Sequence, residues 1–188
     1  RGSGVVAKLG TDGQLFTSSG AGVSQAFEAA AGGGKLLQVV QTVKTDTFIA
    51  SATSFTDVTG LSVAITPSSV SSKILLSANI NIYHQASSGF LKLQRDIGGG
   101  GYADSAYIAD EASARIQCIH FLIGDYQQID ANMNYLDSPN TTSAVTYQVQ
   151  GYTYNATYPL YVNRFQADTD GYEYGRSASS ITAIEIGA

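Results

Sequence analysis

The feature that most constrains this chain is a succession of short apolar runs of period two, each ended by a turn cluster. Leu61, Val63 and Ile65 alternate with Ser62 and Ala64, and Pro67 stops the run. Ala78, Ile80 and Ile82 alternate with Asn79 and Asn81, and Leu91, Leu93 and Arg95 with Lys92 and Gln94. Val145, Tyr147 and Val149 alternate with Thr146, Gln148 and Gln150. Period two sends successive side chains to opposite faces of a pleated strand, so each run predicts a strand with one face buried. Leu37–Val43 opens the series and Ile181–Ile186 closes it. The nearly unbroken apolar stretch Arg115–Ile123 predicts a central strand, buried on both faces.

Between the runs lie Pro67-Ser68-Ser69, Ser87-Ser88-Gly89, Gly98–Gly101, Ser138-Pro139-Asn140 and Asp168–Gly171, which are turn formers. Eight to ten strands at this spacing predict an all-β sandwich of the jelly-roll type. Helical patterns fit only weakly, at Val23–Ala31 and Asp110–Ala114. A helical period between strands, which a crossover fold would need, is missing.

Composition agrees. Charged residues make up 13% of the chain, about half the usual share. Their place is taken by 21 Ser and 16 Thr, which suit strand faces and turns better than helix interiors. The net charge of -5 and the scattering of Lys and Arg argue against nucleic acid, because backbone phosphates require clustered cations. No apolar run reaches the roughly 18 residues of a membrane-spanning helix. Arg1–Gly10 lacks the apolar stretch of a secretory signal, so none is expected. The single cysteine, Cys118, excludes an intrachain disulfide framework.

Residues 1–34 are of a different kind, dominated by Gly, Ala and Ser. Leu9, Leu15, Phe16 and Phe27 stand apart in it without a sustained period. Such a segment cannot bury enough area alone to offset the entropy of ordering it. Two readings stand: a flexible linker, or an anchoring arm whose spaced apolar residues pack on neighbouring chains. Residues 35–188 form the strand-rich head.

Three stretches resemble a known group of proteins. Gly10-Thr-Asp-Gly-Gln-Leu-Phe-Thr-Ser-Ser-Gly-Ala-Gly22 is similar to a motif that joins shaft to head in phage fibres. Gly34-Lys-Leu-Leu-Gln-Val-Val-Gln-Thr-Val-Lys-Thr-Asp-Thr47, followed by Phe55-Thr-Asp-Val-Thr-Gly-Leu-Ser-Val-Ala-Ile-Thr-Pro67, resembles the start of a domain found in marine phage and cyanophage structural proteins. Arg176-Ser-Ala-Ser-Ser-Ile-Thr-Ala-Ile-Glu-Ile186 is similar to that domain's last strand. Together they cover roughly a third of the chain and leave residues 98–174 unmatched. The resemblance implies a virion protein whose head is a homotrimeric jelly roll, like that of C1q and tumour necrosis factor. It also implies that the N-terminal arm meets other virion proteins.

The chemical candidates are few. His84 and His120 are the only histidines, and His120, within a strand, reads as a satisfied sheet residue. Cys118 and His120, two apart, would share a strand face, but no third ligand or orienting partner accompanies them. Asp168-x-Asp170-Gly171 begins like a calcium loop and lacks its later ligands, so a plain turn is the simpler reading. Asp104, Asp110 and Glu111 read as loop surface. Gly98–Gly101 lacks the Lys-Ser/Thr ending and the helix of a phosphate loop. Asn140 and Asn155 fit the glycosylation pattern, which would carry no meaning in the phage protein that the resemblance implies. No paired carboxylates suggest a glycoside hydrolase. The expectation is therefore no catalytic residue, no metal and no cofactor.

The tyrosines are more informative. Tyr152, Tyr154, Tyr158 and Tyr161 crowd into one short stretch. A flat apolar body with a polar tip serves a core, a subunit seam or a stacking surface. These four either fill the core or a trimer-interface seam, or form an exposed receptor surface for a host glycan or protein. The sequence thus points to a non-enzymatic virion protein. It would be a tail-fibre, head-fibre or spike module for host attachment or, alternatively, a capsid cement or decoration protein.

Overall fold

The alternating runs become strands because each pairs along its length with partners far away in sequence. The computed structural model describes residues 14–17 and 26–29 by their backbone alone, and residues 35–105, 107–124 and 126–187 in full. Backbone proximity divides the chain between Lys35 and Leu36. In the first unit, β1 (Gln14–Thr17) and β2 (Ala26–Ala29) form an antiparallel pair with Phe16 opposite Phe27. Ala26–Ala29 is therefore extended, contrary to the helix pattern at Val23–Ala31. Leu9 lies outside the described residues, so its anchoring role is untested. The side chains of Leu15, Phe16 and Phe27 likewise lie outside the described part of the structure.

The second unit is built from β3 (Leu36–Lys44), β4 (Phe48–Ala50), β5 (Thr56–Ile65), β6 (Lys73–His84), β7 (Ser88–Ile97), β8 (Ala103–Asp104), β9 (His120–Ile123), β10 (Gln127–Asp137), β11 (Val145–Thr153), β12 (Leu160–Val162) and β13 (Ser179–Ile186). One sheet runs β3-β13-β6-β10, with β12 and β4 continuing from the far half of β6. The other runs β5-β11-β7-β9, with β8 beside the far end of β7. Setting aside the short β4, β8 and β12, the eight remaining strands fall in the orders first-eighth-third-sixth and second-seventh-fourth-fifth. That interleaving is the jelly roll.

The core lies between the sheets. Ile74, Leu76, Ile80, Ile82, Ile181 and Ala183 face inward from one; Leu61, Val63, Leu91, Leu93, Val145 and Val149 from the other. In β5 the alternation breaks once: Val58 and Leu61 are both buried although three apart. Gly60, at φ +79, absorbs the extra residue as a bulge opposite a register shift in β11.

A charged polar cluster crosses the core. Asp137 of β10 receives both hydrogen bonds from Arg95 Nη1 of β7, each 2.8 Å, and one from the Tyr147 hydroxyl of β11 at 2.6 Å. Burial first, and then that bond to Asp137, pushes the Tyr147 hydroxyl far above its ordinary value, so it remains a donor. This clamp joins the two sheets.

Two expectations are corrected. Arg115–Ile123 is not a central strand. Only its last residues form β9, an edge strand paired with β7 alone. β8 occupies the remainder of that edge at Gln94 and Arg95, and Leu122 is the one residue of β9 that is fully buried. Asp110–Ala114 contains no helix; Ser113 has φ +55, which interrupts a right-handed turn.

Candidate interaction surfaces

The outward face of β3-β13-β6-β10 can be read row by row from the register. Val39, Ile184, Leu75 and Leu136 stand side by side, one from each strand. Val39 is 55% exposed and Leu136 48%. Beyond this row lie Leu37 and Ile186, with Leu37 packed over Gly187. On the other side come Gln41, Thr182, Ser77 and Asn134, then Val43, Ser180, Asn79 and Asn132. Amides and hydroxyls bond across the strands: Gln41 Nε2 to Thr182 Oγ1 (2.9 Å), Asn79 Nδ2 to Asn132 Oδ1 (2.8 Å) and Asn81 Nδ2 to Asp130 Oδ1 (2.8 Å). Among the outward positions of β3, β13, β6 and β10, only Lys73 and Asp130 carry charge; Lys44, Asp137 and Glu185 of the same strands are buried. A contiguous apolar row on a nearly uncharged face is the composition of a surface that becomes covered.

The opposite face, on β5-β11-β7-β9, differs. Asp57 accepts from Gln148 and Gln150 at 2.9 and 2.7 Å, and Lys92 pairs with Asp104 at 2.6 Å. At one end of this face runs an aromatic row, Phe55, Tyr152, Phe90 and Phe121, with successive ring centroids 5.3, 5.3 and 6.5 Å apart. Beyond Phe90 and Phe121 opens a hollow of about 400 Å³, walled also by Tyr154, Arg115, Ser88 and Cys118.

The four tyrosines of the 152–161 stretch do not form one patch. Tyr152 is half-buried in the aromatic row, and Tyr154 is 66% exposed at the hollow. Tyr158 is half-buried and acts through its carbonyl. Tyr161 belongs to the other sheet, on β12, and is buried, which agrees with the core reading for this one of the four. Tyr83 lies 5.9 Å from its ring, and the Arg164 guanidinium sits over it at 5.4 Å.

His84 explains how Tyr154 is placed. Its Nδ1 faces the Ser87 amide, so Nε2 carries the proton toward Thr153 Oγ1 at 3.1 Å, and that hydroxyl donates to the Tyr158 carbonyl at 2.6 Å. Burial lowers the His84 pKa and keeps the ring neutral. The Tyr154 amide bonds the Ser88 carbonyl at 2.8 Å. His120 is the register partner of inward-facing Leu91 and has a buried Nε2 without a hydrogen-bond partner. Cys118 precedes the strand and lines the hollow instead, so the two do not share a face. Burial raises the Cys118 thiol, which stays protonated.

Asp168 is engaged by Arg176 at 2.6 Å and Arg164 at 3.2 Å, which occupies both carboxylate oxygens with arginine. Asp104 is a partner of Lys92; Asp110 and Glu111 lie on the exposed connection after β8. Gly98, Gly99 and Gly101 all take positive φ in the hairpin from β7 to β8. The hollow beside Phe90 and Arg115 was not legible in the sequence. Its walls come from three separated stretches, and only the local crowding of tyrosines pointed toward it.

No family model matches the sequence, and no curated protein matches it. Among solved structures, the chain is similar to that of the infectious bursal disease virus Gx strain, with TM-score 0.39 and 9% identity over 92% of this chain and 45% of that one. The Gt strain structure gives TM-score 0.37 and 9% identity over 93% and 47%. The VP2 subviral particle of the same virus gives 0.34 and 10% over 97% and 42%. The chain spans less than half the length of these viral chains.

Proposed function

We propose that this chain is a structural protein of a phage virion, a homotrimeric fibre or spike module whose head attaches the particle to its host surface. The observation that carries the reading is the apolar row Val39-Ile184-Leu75-Leu136 on a sheet face with almost no charge. Closed symmetry lets one such face be covered by copies of the same chain. Amides and hydroxyls in the neighbouring rows already bond one another, so covering them costs little desolvation. The resemblance of Gly10–Gly22 to fibre motifs supports the first unit as the end toward the particle. With the first sheet covered by copies, the second sheet, with the aromatic row and the hollow, is left to face solvent.

Location on the particle tests this reading. A reconstruction of the virion should show the chain projecting from a head or tail vertex with the β5-β11-β7-β9 sheet toward solvent. Density lying flat across the capsid lattice, with residues 1–34 threaded between capsomers, would replace it with the cement role. Absence from purified particles would remove both.

A further inference from the structure

We propose that the hollow beside Phe90 and Phe121 binds an acidic sugar: a single pyranose ring whose carboxylate pairs with Arg115. This deepens the attachment reading and rests on it.

Three observations lead there. First, the hollow's volume of about 400 Å³ lies in the small-ligand range and is too small for a folded partner. Second, its walls combine two accessible rings, Phe121 at 60% and Tyr154 at 66% exposure, with one charge. Arg115 is the only charged residue among the lining side chains, and it has no carboxylate partner among the described residues. A purely apolar ligand would cover that guanidinium without pairing it, which costs more than it returns. A bare inorganic anion would leave the rings unused. A sugar acid uses both, stacking its C–H face on the rings and offering a planar carboxylate to the guanidinium fork. Ser88 and the Tyr154 hydroxyl supply further polar contacts.

Third, the hollow is built by an unusual element. The connection from Ser105 to Ile119 contains no helix or strand among its described residues, and connections that long inside a compact domain are commonly functional. It is held at both ends on β7, by Ser105 N to the Leu93 carbonyl (3.2 Å) and Ile119 N to the Leu91 carbonyl (2.9 Å). The Ala109 and Gln117 regions are cross-bonded, and Arg115 N donates to the Ala112 carbonyl at 3.1 Å. Arg115 is thereby presented on a braced loop.

The test is calorimetric titration of the full chain with galacturonate and glucuronate, with galactose and glucose as neutral counterparts. The expected result is saturable binding of at least one acid at about millimolar affinity. Arg115→Gln should weaken it about tenfold, the scale of a charge-assisted pair. Tyr154→Ala should weaken it as well. Arg115→Lys should restore only part, since an ammonium lacks the fork. Both positions are exposed, and unchanged thermal unfolding of all three variants verifies the fold. Failure of both acids to bind, equal binding of the neutral sugars, or indifference to Arg115→Gln would each overturn the proposal. A chain found on the particle that ignores both acids removes the hollow alone. A chain absent from the particle that still binds them removes the attachment reading alone.

Discussion

The two outward faces of the sandwich are made by the same alternation and yet suit opposite environments. On β3-β13-β6-β10 the outward positions are amides, hydroxyls and one apolar row, with Lys73 and Asp130 as the charges. On β5-β11-β7-β9 and the adjoining β8 they include Asp57, Lys92 and Asp104, and the aromatic row leads into the hollow. Strand pairing requires neither pattern, because the inward residues alone would hold the jelly roll together. Under the function proposed above, the difference reflects what each face would meet: a like surface on one side, water and a small ligand on the other.

The comparison can be broken first through what joins the faces. Asp137 is buried between the sheets and holds Arg95 and Tyr147. Asp137→Ala leaves a half-buried guanidinium and a buried hydroxyl unpaired, and should cost about 3–5 kcal/mol of stability. Denaturant unfolding measures it, and both faces should be lost together in one transition.

A smaller effect confined to the second sheet comes from Gly60, whose φ of +79 a side chain resists. Space is not the obstacle, since an added Cβ would meet nothing nearer than Lys44 Nζ at 3.7 Å. Gly60→Ala should cost about 1–3 kcal/mol, read as a lower unfolding midpoint, without altering the apolar row of the other sheet.

The smallest effect is confined to β13 of the first sheet and depends on pH. Glu185 accepts from the Ser68 amide and hydroxyl and from Gln38 Nε2, each at 2.7 Å, which ties the β5–β6 connection to β13. Burial pushes its carboxyl up, but the hydrogen bonds from Ser68 and Gln38 outweigh that and hold it at about 2. A carboxylate with a lowered pKa contributes stability that is fully present above its unfolded value of 4.5. That contribution is lost as pH falls through about 2. The unfolding midpoint should drop across this window, and Glu185→Gln should flatten the drop.

Most of the fold was legible where inward positions were large and aliphatic. β5, β6, β7, β11 and β13 follow directly from their alternating runs. β10 was not read, although it alternates throughout, because its inward residues include Ala131, Met133 and Asp137 and its outward ones Asn132 and Asn134. Small, sulfur-containing and acidic residues carry little apolar signal, and asparagines imitate a turn. Arg115–Ile123 misled in the opposite sense: apolar content without alternation suits a loop packed over a sheet edge as well as a buried strand. The tyrosine cluster drew attention to the correct end of the molecule but not to the arrangement. Tyr154 reaches the hollow, whereas Tyr161 crosses to the other sheet through β12.

The central claim, that the apolar row is covered by copies of this chain, is tested most directly by light scattering of the full chain beside Val39→Asp and Leu136→Asp. Both residues are exposed, so neither substitution should change thermal unfolding of the head beyond the loss of its partners. The native protein should have three times the chain mass, and each variant should fall to one. A native protein of single-chain mass, or variants that keep the trimer, would contradict the account.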